Sequence, residues 1–232
     1  VHRTTRDSNL YVAAAYMPGG QALDVQPRRP AEAATRLIDI VGASAALLFF
    51  LPLLILVALL VRLTSRGNIF FGQQRIGRGG RMFTCYKFRS MVVDAEQRLQ
   101  HLLATDPEAQ QEWLRDHKLR RDPRITGIGN FLRRSSLDEL PQFFNVLRGE
   151  MSLVGPRPIV VGEIARYGRY LGSYASVKPG LTGLWQVSGR SNTSYRRRVA
   201  MDVAYARAKC LRLDMSILLA TIPAVVGARG SY

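Results

Sequence analysis

Cysteine is nearly absent from this 232-residue chain. Cys85 and Cys210 are two widely spaced thiols. They build neither a zinc site nor a disulfide framework, and they fit a reducing, cytosolic setting. Histidine is as sparse: His2, His101 and His117 stand in polar stretches without metal-ligand spacing. Acid is scarce too, with 17 Asp and Glu against 33 Lys and Arg, a formal charge of +16. Such an excess asks for nucleic acid, anionic lipid or phosphorylated small molecules as partner. The chain lacks the interleaved aromatics or recognisable module that a nucleic-acid reading needs, so no nucleic acid is expected. The first thirty-odd residues have no apolar core of a cleavable signal. No internal repeat is found. Gly77-Arg78-Gly79-Gly80 lacks the P-loop pattern and reads as a turn.

One long apolar run is present. From Ile40 to Val61 no residue is charged, and Pro52 sits just past the midpoint. That is about the roughly 20 residues a helix needs to span a bilayer. Arg28, Arg29 and Arg36 precede the run, and Arg62, Arg66, Arg75 and Arg78 follow it. The positive-inside tendency therefore draws both ends to the cytoplasmic side. Pro52 removes a backbone donor and favours a kink. Each half is roughly 18 Å long, enough to reach mid-bilayer. Two readings stand: a re-entrant helix–break–helix, or an ordinary span with a tolerated proline.

Around this element the chain divides into a flexible N-terminal tail (1–35), the membrane hairpin (36–66) and a cytosolic and interfacial domain (67–232). Short β-prone pieces between Ile69 and Met91, around Gly77, Gly79 and Gly80, predict a hairpin. Asp94 to Arg121 is polar and helical, and Asp106-Pro107 divides it into two helices. Ser136 to Leu147 reads as one short helix stopped by Gly149. Met151 to Val154 is extended. Pro179-Gly180 reads as a type II turn. A helix runs from about Tyr195 to Lys209. The apolar stretch Met215 to Ala228, which contains Pro223, lies in the interface or packs on the core.

Two features carry chemistry. Ser136 and Glu139 have the spacing of a capping box, a routine helix start. In the same tetrapeptide Asp138 stands in the first helical turn, where the positive end of the helix dipole keeps a carboxylate ionised. Such a group can attack phosphorus or hold Mg²⁺ bridging phosphates. The second feature is a set of cations in stiff local contexts: Lys87 and Arg89 in Lys87-Phe88-Arg89-Ser90, Arg133 beside Arg134, Arg157 between Pro156 and Pro158, and Arg190 after Gly189. Guanidinium groups bind phosphate through paired hydrogen bonds. Singly, each is an ordinary surface charge; together they form a phosphate-binding set. Trp185-Gln186 is core, or stacks on a ring.

These residues fall in runs that resemble one family. The runs are Lys87-Phe88-Arg89-Ser90-Met91, Arg133 to Gln142, Gly149 to Pro158, and Pro179 to Gln186. They resemble the bacterial sugar transferases, the monotopic polyprenyl-phosphate phosphoglycosyl transferases, from about Thr35 to the C-terminus. The ending Thr221 to Val225 and Arg229 to Tyr232 looks like the short-form branch that starts rhizobial-type exopolysaccharides. The resemblance implies transfer of a sugar-1-phosphate from a UDP-sugar, galactose first and glucose as runner-up, to undecaprenyl phosphate, with release of UMP. It implies Asp138 as nucleophile in a covalent intermediate and Glu139 as its dyad partner, with Asp138 and Glu139 holding Mg²⁺. Arg157, with Pro156 and Pro158, would shape the phosphate site, and Pro52 would break a re-entrant helix. The expected fold is mainly α with a small β component. A re-entrant membrane helix–break–helix and amphipathic interfacial helices would surround a compact cytosolic catalytic domain. The expected location is the cytoplasmic face of the bacterial inner membrane, among anionic lipids, with a homodimer as one expected assembly. A non-catalytic membrane scaffold for polysaccharide assembly is the alternative from another class.

Overall fold

The computed structural model describes residues 30–116, 119, 122–189 and 193–226. Arg190, His2, His117 and the residues after 226 lie outside the described residues, as does the expected tail up to 29. In chain order the elements are α1 (Pro30–Phe49), α2 (Leu51–Thr64), β1 (Phe70–Ile76), β2 (Met82–Phe88), α3 (Ala95–Thr105), α4 (Pro107–Asp116) and α5 (Gly127–Ser135). Then follow α6 (Gln142–Arg148), β3 (Ser152–Val154), α7 (Ile164–Tyr167), α8 (Leu171–Ala175), β4 (Gly180–Thr182), α9 (Leu184–Ser188), α10 (Tyr195–Ala208) and α11 (Leu211–Val226). The described chain is mainly helical, with two small sheets, β1–β2 and β3–β4.

The apolar run forms α1 and α2. Among the described residues no single helix is long and apolar enough to cross a membrane. The pair passes that test together, and the chain bends by 62° at their junction. The break falls at Phe50, ahead of the proline, and Pro52 lies in the first turn of α2. There a missing N–H costs nothing, because first-turn donors have no intrahelical acceptor. Pro52 therefore starts the second helix rather than kinking a continuous one. Helix α1 begins at Pro30, within the stretch assigned to the tail. Leu48, Phe49, Leu51, Ile55, Leu56, Leu59 and Leu63 are all exposed.

The described residues fall into two compact units that share the chain in an interleaved way. The first takes the described parts of Val1–Leu51, Gly72–Tyr86 and Pro141–Tyr232. Its centre is the parallel pair β3–β4, with Ser152 opposite Gly180 and Val154 opposite Thr182. Helix α1 is tied to β3 by the buried Asp39, whose Oδ1 accepts from Ser152 Oγ and Leu153 N, both at 2.8 Å. Arg36 donates to the carbonyls of Val146 and Leu147 at 2.5 and 2.6 Å, which closes the C-terminal end of α6. One core gathers Ala43, Val146, Met151, Val154, Tyr205 and Ile217. Helix α11 puts Ile217 into it and leaves Leu219 and Ile222 exposed. A second core joins Ile76, Ile159, Tyr167, Tyr174, Val199 and Val203.

Gly180 is no turn residue. It lies in β4, and its φ is not positive. Glycine is required because a Cβ there would stand 2.0 Å from Gly155 N. The reverse also holds, since a Cβ on Gly155 would meet Lys178 O at 2.3 Å.

The second unit takes Pro52–Phe71 and Lys87–Leu140. Its core is Val57, Val61, Phe88 and Leu132. Asp106 caps α4, with Oδ1 accepting from the backbone N–H of Glu108 (2.9 Å) and Ala109 (3.0 Å), as the sequence predicts.

Gly180→Ala is expected to destabilise the protein by at least about 2 kcal/mol, the scale of overpacking against rigid backbone. A chemical denaturation midpoint close to that of the wild type would contradict the close approach.

Candidate active site

The stretch from Ser136 to Leu147 is not one helix. Helix α5 ends at Ser135, and Ser136 adopts φ 58°, ψ 15°, in the left-handed region. It is the single non-glycine residue with positive φ among those described. A tight 3₁₀ turn, Leu137–Glu139, follows, and Pro141 then opens α6. Pro141 has no N–H to return to Leu137, so a continuous helix loses a bond there. The capping box is also absent. Ser136 makes no side-chain cap, and Glu139 turns to Lys87, whose Nζ lies 2.5 Å from Oε1.

Strand alternation delivers that lysine. Phe88 points into the core of the second unit, so Lys87 faces the other way. Its Nζ also stands 3.9 Å from Asp138 Oδ2. Asp138 is 7% exposed, and Glu139 is half-buried. Helix α5 carries this turn and is anchored at its start. Thr126 Oγ1 accepts from Gly129 N at 3.0 Å, and Thr126 N donates to Ser90 O at 3.0 Å, just past β2. Two adjacent carboxylates around one ammonium group are thus fixed by a backbone turn and a strand end.

The other expected phosphate ligands divide. Arg133 is exposed in the last turn of α5. Arg89 is buried, and its Nη2 donates to Ser65 O (2.9 Å) and Ser65 Oγ (2.7 Å) just beyond α2. These bonds close a helix end. Arg190 lies outside the described residues. Arg157 belongs to the first unit and is half-buried. The prolines beside it are buried, and hydrogen bonds fix them more firmly than ring geometry alone. Pro156 O accepts from Gly180 N at 2.8 Å, and Pro158 O accepts from Arg75 Nη1 at 2.9 Å. Ile159 bridges to Ile76, and Tyr174 Oη lies 3.2 Å from Ile159 N and 2.6 Å from Ile76 O.

Sequence reasoning missed the surroundings of this turn. Arg198 stacks 4.4 Å above the ring of buried Trp185. Asp202, one helical turn on in α10, is buried and accepts from Tyr167 Oη at 2.7 Å. Burial pushes its carboxyl up to about 7, against the lowering effects of Tyr167 and Arg198. Only the i, i+4 spacing of Arg198 and Asp202 hints at this in the sequence.

Mg²⁺ is held through one or two carboxylates completed by substrate phosphates and water. Asp138 and Glu139 supply such a donor set. No third His, Cys, Asp or Glu joins them in a metal-binding group among the described residues.

Comparison with known proteins defines the class. Residues 30–228 match the family model described as "Bacterial sugar transferase", and the chain belongs to that family. Among its relatives is "Exopolysaccharide production protein ExoY" of Rhizobium meliloti, 47% identical over 86% of this chain and 88% of that protein. Another is "Undecaprenyl-phosphate galactose phosphotransferase" of Salmonella typhimurium, 49% identical over 85% of this chain. The chain spans only 41% of the length of that protein. A more distant one is "UDP-glucose:undecaprenyl-phosphate glucose-1-phosphate transferase" of Caulobacter vibrioides, 38% identical over 93% of this chain and 76% of that protein.

Ser136→Val is expected to cost about 1–2 kcal/mol, because a β-branched side chain resists the left-handed region. Turnover should fall with it, while Ser136→Gly should keep both stability and turnover. Thermal melts and rates on both variants test the strained turn. Asp202 generates a pH prediction. Its native affinity for a proton exceeds the unfolded one, so its stabilisation is complete below the ordinary value of 3.8 and is lost as pH rises through about 7. The stability of the wild type minus that of Asp202→Asn should fall by roughly 3–4 kcal/mol across this window and then level off. A flat difference would show that Asp202 is ionised in the native protein.

Proposed function

We propose that this chain transfers galactose-1-phosphate from UDP-galactose to undecaprenyl phosphate, with release of UMP, as the first membrane step of exopolysaccharide synthesis. The observation that carries the reading is the Asp138–Glu139 pair around Lys87, at 3.9 and 2.5 Å, in a chain of the bacterial sugar transferase family. The Rhizobium and Salmonella relatives support exopolysaccharide production and galactose as the sugar. The Caulobacter relative favours a second reading, the same reaction with UDP-glucose.

Asp138 is the nucleophile in this scheme. A carboxylate oxygen attacks the sugar-bearing phosphorus of the donor. The new O–P bond forms as the bond to UMP breaks, and the electron pair leaves on the UMP phosphate. An oxygen of undecaprenyl phosphate then attacks the same phosphorus. The aspartyl O–P bond breaks, the carboxylate is restored, and a polyprenyl-diphosphate sugar departs. Splitting the reaction lets a soluble donor and a membrane acceptor react in turn. Lys87 holds Glu139 and brings positive charge beside the attacking carboxylate. Arg133, Arg157 and Arg190 supply further positive charge for phosphate, and positioning with charge neutralisation is most of the work in phosphoryl transfer. Asp138 and Glu139 would hold Mg²⁺, which would supply charge neutralisation for the phosphates.

The exposed apolar side chains of α1 and α2 support association with the membrane. The arginines at both ends of the run favour a re-entrant, monotopic arrangement on the cytoplasmic face, among anionic lipids.

Purified protein incubated with UDP-galactose, Mg²⁺ and undecaprenyl phosphate should release UMP. Asp138→Asn should abolish turnover and trap no labelled phosphosugar. Glu139→Gln should lose activity roughly 10–100-fold, the scale for a lost metal-site partner. Full activity in Asp138→Asn would remove the nucleophile, and no UMP from any UDP-sugar would leave the scaffold reading.

A further inference from the structure

Helix α1 has two unlike faces. Glu32, Arg36 and Asp39 are spaced four and three residues apart, so they share one face, and the fully buried Ala43 continues it. Leu37, Val41 and Leu48 are exposed elsewhere on the helix. Each polar residue of the shared face binds a different element of the first unit. Glu32 accepts from both Nη atoms of Arg78, at 3.0 and 3.1 Å, in the turn between β1 and β2. Arg36 holds the C-terminal carbonyls of α6, and Asp39 holds β3.

Asp39 stands where a further strand would otherwise pair. Neighbouring N–H groups of a strand point to opposite edges. Ser152 N donates to Pro179 O at 2.8 Å, on the β4 side, so Leu153 N lies on the other edge of β3. Among the described residues β3 pairs with β4 alone. The Leu153 N–H is buried, and without an acceptor it would be unfavourable. Asp39 Oδ1 supplies that acceptor at 2.8 Å and takes Ser152 Oγ at the same distance. Burial opposes the charge of Asp39 most; the two hydrogen bonds, then Lys178 and Lys209, favour it. Gly42, one turn on, lets helix and strand lie close, since a Cβ there would stand 2.7 Å from Leu153 Cδ1.

Two residues after Leu153 the chain enters Gly155-Pro156-Arg157-Pro158. A three-residue strand does not hold its own course. Where the turn departs depends on what grips β3: β4 on one edge, Asp39 on the other, and Tyr205 Oη at 3.0 Å from Val154 O. We infer that Asp39 is a positioning residue for phosphate binding, because it makes the helix of the apolar run the edge support of β3 and so sets where the Pro-Arg-Pro turn leaves the strand. The inference rests on the transferase reading, in which Arg157 of that turn supplies charge for phosphate. Under that reading the helix that meets the membrane also carries the turn that meets the substrate. The phosphate is the diphosphate of the UDP-sugar or the phosphate of the polyprenyl carrier.

The test uses the full chain in lipid–detergent micelles, as wild type, Asp39→Leu, Asp39→Asn and Ser152→Ala. Leucine removes the acceptor at similar size, whereas asparagine keeps one side-chain oxygen able to accept from both donors. KM for each substrate is measured with the other saturating, together with kcat and the rise in melting temperature caused by UDP or by inorganic pyrophosphate. Asp39→Leu is expected to raise one KM about tenfold and to lower kcat less. Asp39→Asn restores most of that affinity, and Ser152→Ala, which loses one of the two bonds, falls between. A raised KM for the UDP-sugar assigns the turn to the donor diphosphate, and a raised KM for undecaprenyl phosphate assigns it to the carrier; either supports the inference. Both KM values equal to the wild type in Asp39→Leu would overturn it, whether or not kcat falls. An Asp39→Asn variant as impaired as Asp39→Leu would overturn it too. Should Asp39→Leu fail to fold, Ser152→Ala decides by the same KM comparison, with about a threefold rise expected. A wild type that releases no UMP from any UDP-sugar would sink the transferase reading. The melting temperatures then judge the inference: a rise with UDP or pyrophosphate that is lost in Asp39→Leu supports it, and a rise that is kept, or absent from the wild type, overturns it.

Discussion

The first unit depends on two backbones lying closer than side chains allow. Gly155 and Gly180 approach so nearly that a Cβ on either would fall about 2 Å from the other segment, within the 2.3 and 2.0 Å measured. That approach lets Gly155 N reach Thr182 O at 2.9 Å and Gly180 N reach Pro156 O at 2.8 Å. The parallel pair is only three residues long on each side, too short to be stable alone. It persists because other elements are fastened to it. Asp39 ties in α1, Tyr205 Oη lies 3.0 Å from Val154 O, and Thr182 meets Thr221 of α11 at 2.8 Å. The Pro-Arg-Pro turn leaves the end of this pair, so its backbone is placed by a contact between two glycines.

The second unit solves a different problem. Two adjacent carboxylates must be held beside one ammonium group. The left-handed residue Ser136 costs backbone energy. In return it stops α5 and turns the chain so that two acidic residues follow within a single 3₁₀ turn. Lys87 then stands 2.5 Å from Glu139 and 3.9 Å from Asp138. A continuous capped helix would instead have directed Glu139 back to its own backbone.

What could be read from the sequence was local. The hairpin around Gly77 to Gly80, the cap at Asp106, the stop at Gly149 and the span of α10 all follow from short-range chemistry, and each is where it was expected. The family runs also contain the Asp138–Glu139 turn and the Pro-Arg-Pro turn. Two of the misreadings share one cause, a partner distant in sequence. Gly180 looks like a turn glycine until Gly155 is brought against it. Glu139 looks like half of a capping box until Lys87 arrives from β2. Pro52 was assigned the break itself, whereas proline is better suited to the first turn that follows it. Residue type and spacing give the candidates, but long-range contacts decide which of two chemically sound uses a side chain is put to.

The basic excess of the chain acquires a specific meaning in this light. Attack by a carboxylate on a diphosphate brings together groups that repel, and in a partly dry site that repulsion is much larger than in water. Spreading +16 over the surface would not help, since exposed charges are screened within about 10 Å at ordinary salt. What helps is cations held in place before substrate arrives. Lys87 is positioned by strand alternation, and Arg157 by bonds to the carbonyls on either side of it. In each case the cost of gathering positive charge is met by the fold, through hydrogen bonds formed without substrate. Each unit thus carries its own fixed cations: in the second beside the Asp138–Glu139 pair, in the first beside a rigid turn. For the proposed reaction, in which nucleophile, donor and acceptor are all anions, prior placement of positive charge is the condition the chemistry cannot do without.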